Sequence, residues 1–169
     1  LNYPDFEVVL VDNDSKDGSL EMAKRLFSKF YFIRNEKNLG FAAGNNVGIK
    51  LALEKMADYI FLLNNDAVIE KDALKVLIQR GKEIKKAGII GPIIINGRNN
   101  KLWFSGGKIK WFSMKNIHEA NLKTKKAFKT DYICGCAMLI KKEVFEKIGL
   151  LDENFFLYYE DADFCLRAR

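Results

Sequence analysis

Tyr59-Ile60-Phe61-Leu62-Leu63-Asn64-Asn65-Asp66 runs five apolar residues straight into two amides and a carboxylate. A continuous apolar run of that length suits a strand buried on both faces of a mostly parallel sheet. In open α/β sheets ligands sit beyond the carboxyl ends of the strands, so a polar cluster there is placed for binding. Asp66 is the leading candidate in it. A lone carboxylate suits Mg²⁺ or Mn²⁺, which takes one or two protein carboxylates and completes its shell with water and phosphate oxygens. The competing reading is that Asn64, Asn65 and Asp66 form a turn or cap the next helix.

The pattern repeats upstream. Glu7-Val8-Val9-Leu10-Val11-Asp12 is a second short apolar strand ending in acid, followed by Asn13, Asp14, Ser15, Lys16, Asp17 and Gly18. Leu20, Ala23, Leu26, Phe27 and Phe30 then recur at helical spacing, which predicts a helix from about Ser19 to Phe30. Tyr31 to Arg34 reads as a third strand, and strand, helix, strand with short connections is the βαβ unit of an α/β fold. Gly40 and Gly44 stand at the mouth of the next helix, which continues to about Glu54. Glycine there lets backbone N–H groups approach a phosphate; tight turning or close helix packing explains it equally well.

Downstream of Asp66, Lys71 to Lys86 has the spacing of an amphipathic helix, and Ile89 to Ile95 is an extended segment broken by Pro92. Trp103-Phe104-Ser105-Gly106-Gly107 reads as a hairpin or a substrate-facing turn. From Lys110 to Lys129 six lysines stand against Glu119 alone, with little periodicity, which predicts a mobile basic loop. Ile133 to Ile140 returns to a buried strand, and Lys142 to Ile148 is a short helix ended by Gly149. A second acidic cluster closes the chain, where Glu160, Asp161 and Asp163 follow the aromatic run Phe155 to Tyr159. Helix N-terminal charges favoured by the dipole are the structural alternative for these three.

Length and composition narrow the function classes. The 169 residues suit a single domain spanning 1–169, and 49% hydrophobic with 30% charged residues is ordinary globular composition. The net charge of +6 is spread thinly, without an arginine-rich stripe or a recognised nucleic-acid motif, so no nucleic-acid partner is expected. No apolar run approaches the roughly 20 residues that span a bilayer, and no signal peptide is evident, so a cytoplasmic protein is expected, at most peripheral at the inner face of the cell membrane. Cys134, Cys136 and Cys165 lie in apolar surroundings and read as inert thiols rather than a disulfide framework or metal site. The chain opens on Leu1 and stops at Arg169 within an expected helix, as a fragment would.

Three stretches together carry a resemblance: Val11 to Ser19, the Asn64-Asn65-Asp66 strand end, and Tyr159-Glu160-Asp161-Ala162-Asp163-Phe164-Cys165-Leu166-Arg167. In that order they resemble a family 2 inverting glycosyltransferase with the GT-A fold, particularly the rhamnosyltransferase-like members. Asn38 to Asn46, Trp103 to Gly107 and Gly149 to Glu153 resemble pieces of the same pattern. The resemblance implies a Rossmann-like sheet flanked by helices and a nucleoside-diphosphate sugar donor, UDP- or dTDP-linked. It also implies a glycan or lipid-linked acceptor. By carry-over, Asp12, Asn13, Asp14, Gly40, Asn46, Asn64 and Asn65 would bind the nucleotide-sugar, Asp66 the metal, and Asp161 would be the catalytic base with Glu160 beside it. Asn64 and Asn65 stand where the commonest members carry the first acid of a D-x-D motif, which leaves one carboxylate for the cation. Members of this family normally have a further strand and helix before the position of Leu1, and a further C-terminal part.

Inverting transfer needs a carboxylate to take the acceptor hydroxyl's proton and a cation to neutralise the departing diphosphate. Like-charge proximity of Glu160 and Asp163 would make Asp161 the stronger base. Lys115, Lys123, Lys125, Lys126 and Lys129 are candidates for contact with anionic lipid. Three other readings compete. A phospho-acceptor receiver domain would phosphorylate Asp66 and hold Mg²⁺ on Asp12, but has no use for the Glu160 to Asp163 cluster. A sugar-nucleotide pyrophosphorylase is the nearer enzyme alternative, and an inactive fragment that binds nothing is the third.

Overall fold

A computed structural model describes residues 1–113, 115–121, 124 and 126–169. The opening βαβ unit forms as its periodicity predicts. Strand β1 (Val9–Asp12) pairs in parallel with β2 (Tyr31–Arg34), in register from Val9 opposite Tyr31 to Asp12 opposite Arg34. Helix α1 (Ser19–Leu26) makes the crossover and stops four residues short of expectation. Phe27 and Phe30 match the helical spacing, but they stack on each other instead, centroids 4.8 Å apart and ring planes nearly parallel.

Helix α2 (Gly40–Glu54) packs against β1 and also against β3 (Tyr59–Leu63). Gly48 permits this closeness: a β-carbon there would stand 3.0 Å from the Val11 side chain. Along β3 the side chains alternate between two clusters. Ile60 and Leu62 enter the main core, while Tyr59 and Phe61 pack against the cluster of Leu74, Leu77 and Ile78 on α3 (Ala73–Glu83). That helix lies inside the expected span, two residues late and three early.

The pairing of β3 corrects one expectation. Its partner is β9 (Ala137–Lys141), antiparallel, and β9 takes β4 (Ile89–Ile90) on its other edge, again antiparallel. The β1–β2 ladder is the only parallel one among the described residues. The reason lies in the connection. After Pro92 the chain does not cross over by a helix but folds into two hairpins, β5 (Ile94–Ile95) with β6 (Leu102–Phe104) and β7 (Gly106–Lys110) with β8 (Lys115–Glu119), then re-enters from the opposite direction. Strand β9 is the most deeply buried: Met138, Leu139 and Ile140 are essentially inaccessible. Each such side chain contributes about 1.5–3 kcal/mol of transfer free energy.

The basic stretch is likewise corrected. Its first half is the β7–β8 hairpin, with Lys110 opposite Lys115 at the turn, rather than a loop. Lys126 and Lys129 are exposed, while Lys123 and Lys125 lie outside the described residues. The expected strand from Ile133 begins only at Ala137, because Cys134 to Cys136 make a turn closed by the Ala137 N–H donating to the Cys134 carbonyl at 3.2 Å. Helix α4 (Lys142–Ile148) follows directly and ends at Gly149. Helix α5 (Glu160–Arg167) carries all three acids in its first turn. Among the described residues no helix is long and apolar enough to cross a membrane.

Candidate active site

Four segments converge at one end of the main core. The first follows β1. Asp12 is buried, its Oδ1 accepting from the Ser15 N–H at 3.2 Å and its Oδ2 lying 3.6 Å from Nε of Arg34. Asn13 uses its whole hydrogen-bonding capacity within the protein. Nδ2 donates to Asn38 Oδ1 and to the Gly40 carbonyl, while Oδ1 accepts from Asn35 Nδ2 and from the Leu39 N–H, all at 2.9–3.1 Å. Asp14 has a left-handed backbone, φ 69°, and pairs with Lys16 at 2.5 Å.

The second segment is the first turn of α2. Gly40 has φ +81°, and a β-carbon there would sit 2.4 Å from the Phe156 carbonyl oxygen, which accepts from the Phe41 N–H at 2.7 Å. The glycine expected to approach a phosphate is therefore covered by the chain's own loop. Asn46 is also corrected as a ligand contact. It is 1% exposed; Nδ2 donates to the Leu151 carbonyl and Glu153 Oε1, both at 2.9 Å, and Oδ1 accepts from the Leu151 N–H at 3.1 Å. It fastens α2 to the 151–153 segment, more than a hundred residues away in sequence.

The third segment is the end of β3. The Asn64 N–H donates to the Cys136 carbonyl at 3.0 Å, and its own carbonyl accepts from Ala67. Asn65 and Asp66 project outward, exposed, and neither side chain has a hydrogen bond or ion pair among the described residues. Asp66 opens onto a groove of about 480 Å³ that continues along Ile94, Ile95, Asn96, Gly97, Arg98 and Trp103. A second hollow, about 570 Å³, lies at the other end of β3 around Asp58, Lys82, Lys85 and Lys141, away from every candidate residue.

The fourth segment is the start of α5. Asp161 Oδ2 accepts from the Gly135 N–H at 2.9 Å, and Oδ1 accepts from the Ala162 N–H at 2.7 Å. Gly135 is packed closely: a β-carbon there would stand 3.1 Å from the Phe41 ring and 3.4 Å from the β-carbon of Asp161. The turn Cys134-Gly135-Cys136 thus holds the β3 end through one residue and the α5 carboxylate through the next. Cys136 feels both charges. Its thiol is pushed up by its hydrogen bond with Cys134 and by burial, with Asp66 and Asp161 adding to the shift. All three cysteines are free, and burial pushes Cys165 up to about 12, which fits an inert thiol there, whereas the hydrogen bond with Cys136 lowers Cys134.

The three carboxylates at the start of α5 meet different surroundings. Asp163 is bound by Nε of Arg167 at 2.8 Å, whose other nitrogens hold the carbonyls of Ile148 and Leu150. Glu160 is 5% exposed, and its Oε2 has no partner among the described residues. Burial pushes its carboxyl above the usual range, with the Asp161 charge adding to the effect. Tyr132, inaccessible beside these groups, also leaves its hydroxyl without a partner, and burial pushes that phenol up. Before α5, Tyr158 and Tyr159 both adopt left-handed backbone, φ 71° and 72°, and Tyr159 is the residue at which the helix begins. Sequence reasoning had no access to Gly135 or Tyr132 as site components. A glycine between two cysteines suggests metal or turn chemistry, and nothing local ties it to Asp161.

As for metal, no group of three or more His, Cys, Asp or Glu side chains is arranged around a common point among the described residues. One free carboxylate at a strand end still fits a hard cation that brings water and phosphate oxygens as its other ligands.

Known proteins bear on this arrangement. The chain is 32% identical to the low-salt glycan biosynthesis hexosyltransferase Agl10 of Haloferax volcanii, across 96% of this chain and 53% of that protein. It is 31% identical to the dTDP-rhamnosyl transferase RfbF of Shigella flexneri, across 95% of this chain and 53% of that one. The chain thus spans about half the length of these curated relatives. In fold it matches GalNAc-T7, solved with UDP, GalNAc and Mn²⁺, with a TM-score of 0.73 at 17% identity, across 96% of this chain and 34% of that one. That likeness establishes the GT-A architecture. Residues 1–149 match the Glycosyl transferase family 2 pattern, and a match over most of the chain, on a GT-A fold, means that this protein belongs to Glycosyl transferase family 2.

Proposed function

We propose that this chain carries the catalytic site of a glycosyltransferase that moves a sugar, with inversion, from a UDP- or dTDP-sugar to a glycan or lipid-linked acceptor. The observation that carries the reading is the turn at Gly135. It holds Asp161 on one side and the strand end bearing the unpartnered Asp66 on the other. Family membership displaces the receiver-domain and pyrophosphorylase readings.

In this reading Asp66 would hold Mg²⁺ or Mn²⁺, which when bound would offset the charge of the departing diphosphate. Asp161 takes the acceptor hydroxyl's proton. Each of its oxygens accepts one backbone hydrogen bond and keeps a second lone pair, so the carboxylate is fixed in orientation yet able to receive that proton. Glu160, buried behind it, supports rather than fronts the site. Asp12 and Asp14 shape the wall nearest the donor, and Asn13 and Asn46 hold the loops that form it. The hexosyl- and rhamnosyl-transferring relatives, and the UDP in GalNAc-T7, support the donor class. Lys115, Lys126 and Lys129 are each exposed, and in this reading they would meet anionic lipid near a lipid-linked acceptor.

Two substitutions test the assignment. Asp66→Asn should abolish the Mn²⁺-dependence of UDP or dTDP binding in calorimetric titration. Asp161→Asn should leave that titration nearly unchanged and reduce sugar transfer by roughly 10²–10⁴, the loss typical of a removed general base. Transfer by Asp161→Asn at the parental rate would end the base assignment.

A further inference from the structure

The groove beside Asp66 has a second wall whose chemistry the donor does not require. Its far side is the tip of the β5–β6 hairpin, a tightly organised turn. The Asn96 N–H donates to the Lys101 carbonyl at 2.8 Å, the Asn100 N–H to the Asn96 carbonyl at 2.9 Å, and the Arg98 N–H to Asn96 Oδ1 at 2.9 Å. Arg98 is exposed on that tip, and its guanidinium has no carboxylate or hydrogen-bond partner among the described residues. Trp103 lines the same groove. Its ring is fixed edge-on against His118, centroids 4.6 Å apart and 86° between planes, yet it remains 40% exposed.

From these features we infer that the groove between Asp66 and the β5–β6 hairpin is the acceptor subsite, and that it recognises a pyranoside bearing a phosphate or carboxylate. This rests on the glycosyltransferase reading above. A fixed, half-exposed indole offers a flat face to the apolar side of a sugar ring. An unpaired guanidinium on a rigid turn is a two-pronged donor matched to a phosphate or carboxylate. The volume, about 480 Å³, lies within the roughly 300–1,000 Å³ of small-molecule sites. Charge sorts the two ends: Asp66, assigned to the cation on the donor diphosphate, repels an anion, whereas Arg98 attracts one. An anionic acceptor therefore enters in one orientation, with its sugar toward the reacting end.

The test uses the full chain and four probes: methyl glucoside, methyl glucuronide, glucose 1-phosphate and inorganic phosphate. Ligand-observed NMR titration should show the two anionic sugars binding about tenfold tighter than the neutral one, with inorganic phosphate weak. Arg98→Gln should erase that preference, while Trp103→Phe keeps it and Trp103→Ala weakens all three sugars. Arg98 is exposed, so its variant keeps the inference testable if Trp103→Ala fails to fold. Equal binding of charged and neutral sugars would overturn the inference. So would inorganic phosphate matching glucose 1-phosphate, or an Arg98→Gln effect on UDP or dTDP titration instead. A separate Mn²⁺-dependent nucleotide titration of the parent chain reports the donor reading. Its failure with sugar preference intact would overturn the acceptor assignment together with the catalytic reading and leave the groove as a site for anionic sugars alone.

Discussion

The ends of β1 and β3 look alike in sequence, each an apolar run that breaks into amides and acids, yet their polar groups meet opposite fates. After β1, Asp12 is buried beside Ser15 and Arg34, only its inaccessible Oδ2 lacking a hydrogen bond among the described residues, Asn13 is saturated by four hydrogen bonds, and Asp14 pairs with Lys16. After β3, Asn65 and Asp66 stand in solvent with nothing attached among the described residues. The first end is a clasp that closes the 35–40 loop over α2. The second is a donor set still open. A polar strand end is a candidate ligand site only to the extent that its hydrogen-bonding capacity is unspent.

The contrast can be broken by substitution, and the largest effect should fall on the clasp. Asn13→Ala removes four hydrogen bonds and strands partners on four other residues, so a loss of roughly 2–4 kcal/mol is expected in urea unfolding. A loss below half a kcal/mol would mean that water substitutes for the amide, and that the first end is as open as the second.

A smaller, pH-dependent effect belongs to Glu160. Its carboxyl titrates above its unfolded value, so the folded chain holds that proton to higher pH. Stability is therefore lost as pH rises from the unfolded value, about 4.3, through the folded one. Glu160→Gln should remove this slope, so thermal melts from pH 4 to pH 8 should show the variant gaining on the parent as pH rises. Parallel curves would mean that the carboxylate finds compensation when ionised.

The least effect on folding should come at the open end. Asp66→Asn touches no partner, so its unfolding free energy should stay within about 0.5 kcal/mol of the parent even though it changes metal binding. Destabilisation of a kcal/mol or more would show that Asp66 also serves the fold.

Much of this was legible in the chain. The βαβ unit, the Asp66 strand end and the acidic helix start follow from periodicity and from where apolar runs stop. The hairpin at β7–β8 was not, because Lys115-Asn116-Ile117-His118-Glu119 has no clear apolar alternation and is held by backbone pairing to Gly106–Lys110. Antiparallel entry of β9 was hidden for a related reason, since direction is set by how the intervening segment returns and not by the strand's own residues. Asn13 and Asn46 were read as ligand contacts because an amide near a strand or helix end looks the same whether its partner is a substrate or Leu151. Only the long-range partner distinguishes the two cases, and sequence spacing does not contain it.

Tyr158 and Tyr159 have a practical consequence for engineering. Left-handed backbone costs a non-glycine residue roughly 1–2 kcal/mol, and the chain meets that cost twice in succession just before α5. Glycine adopts the same angles freely, though it gives back about 0.5–1 kcal/mol as a more flexible unfolded chain. A library aimed only at thermal tolerance would therefore enrich glycine at these two positions, without altering the core, while one selected for turnover would reveal whether the rings are worth keeping.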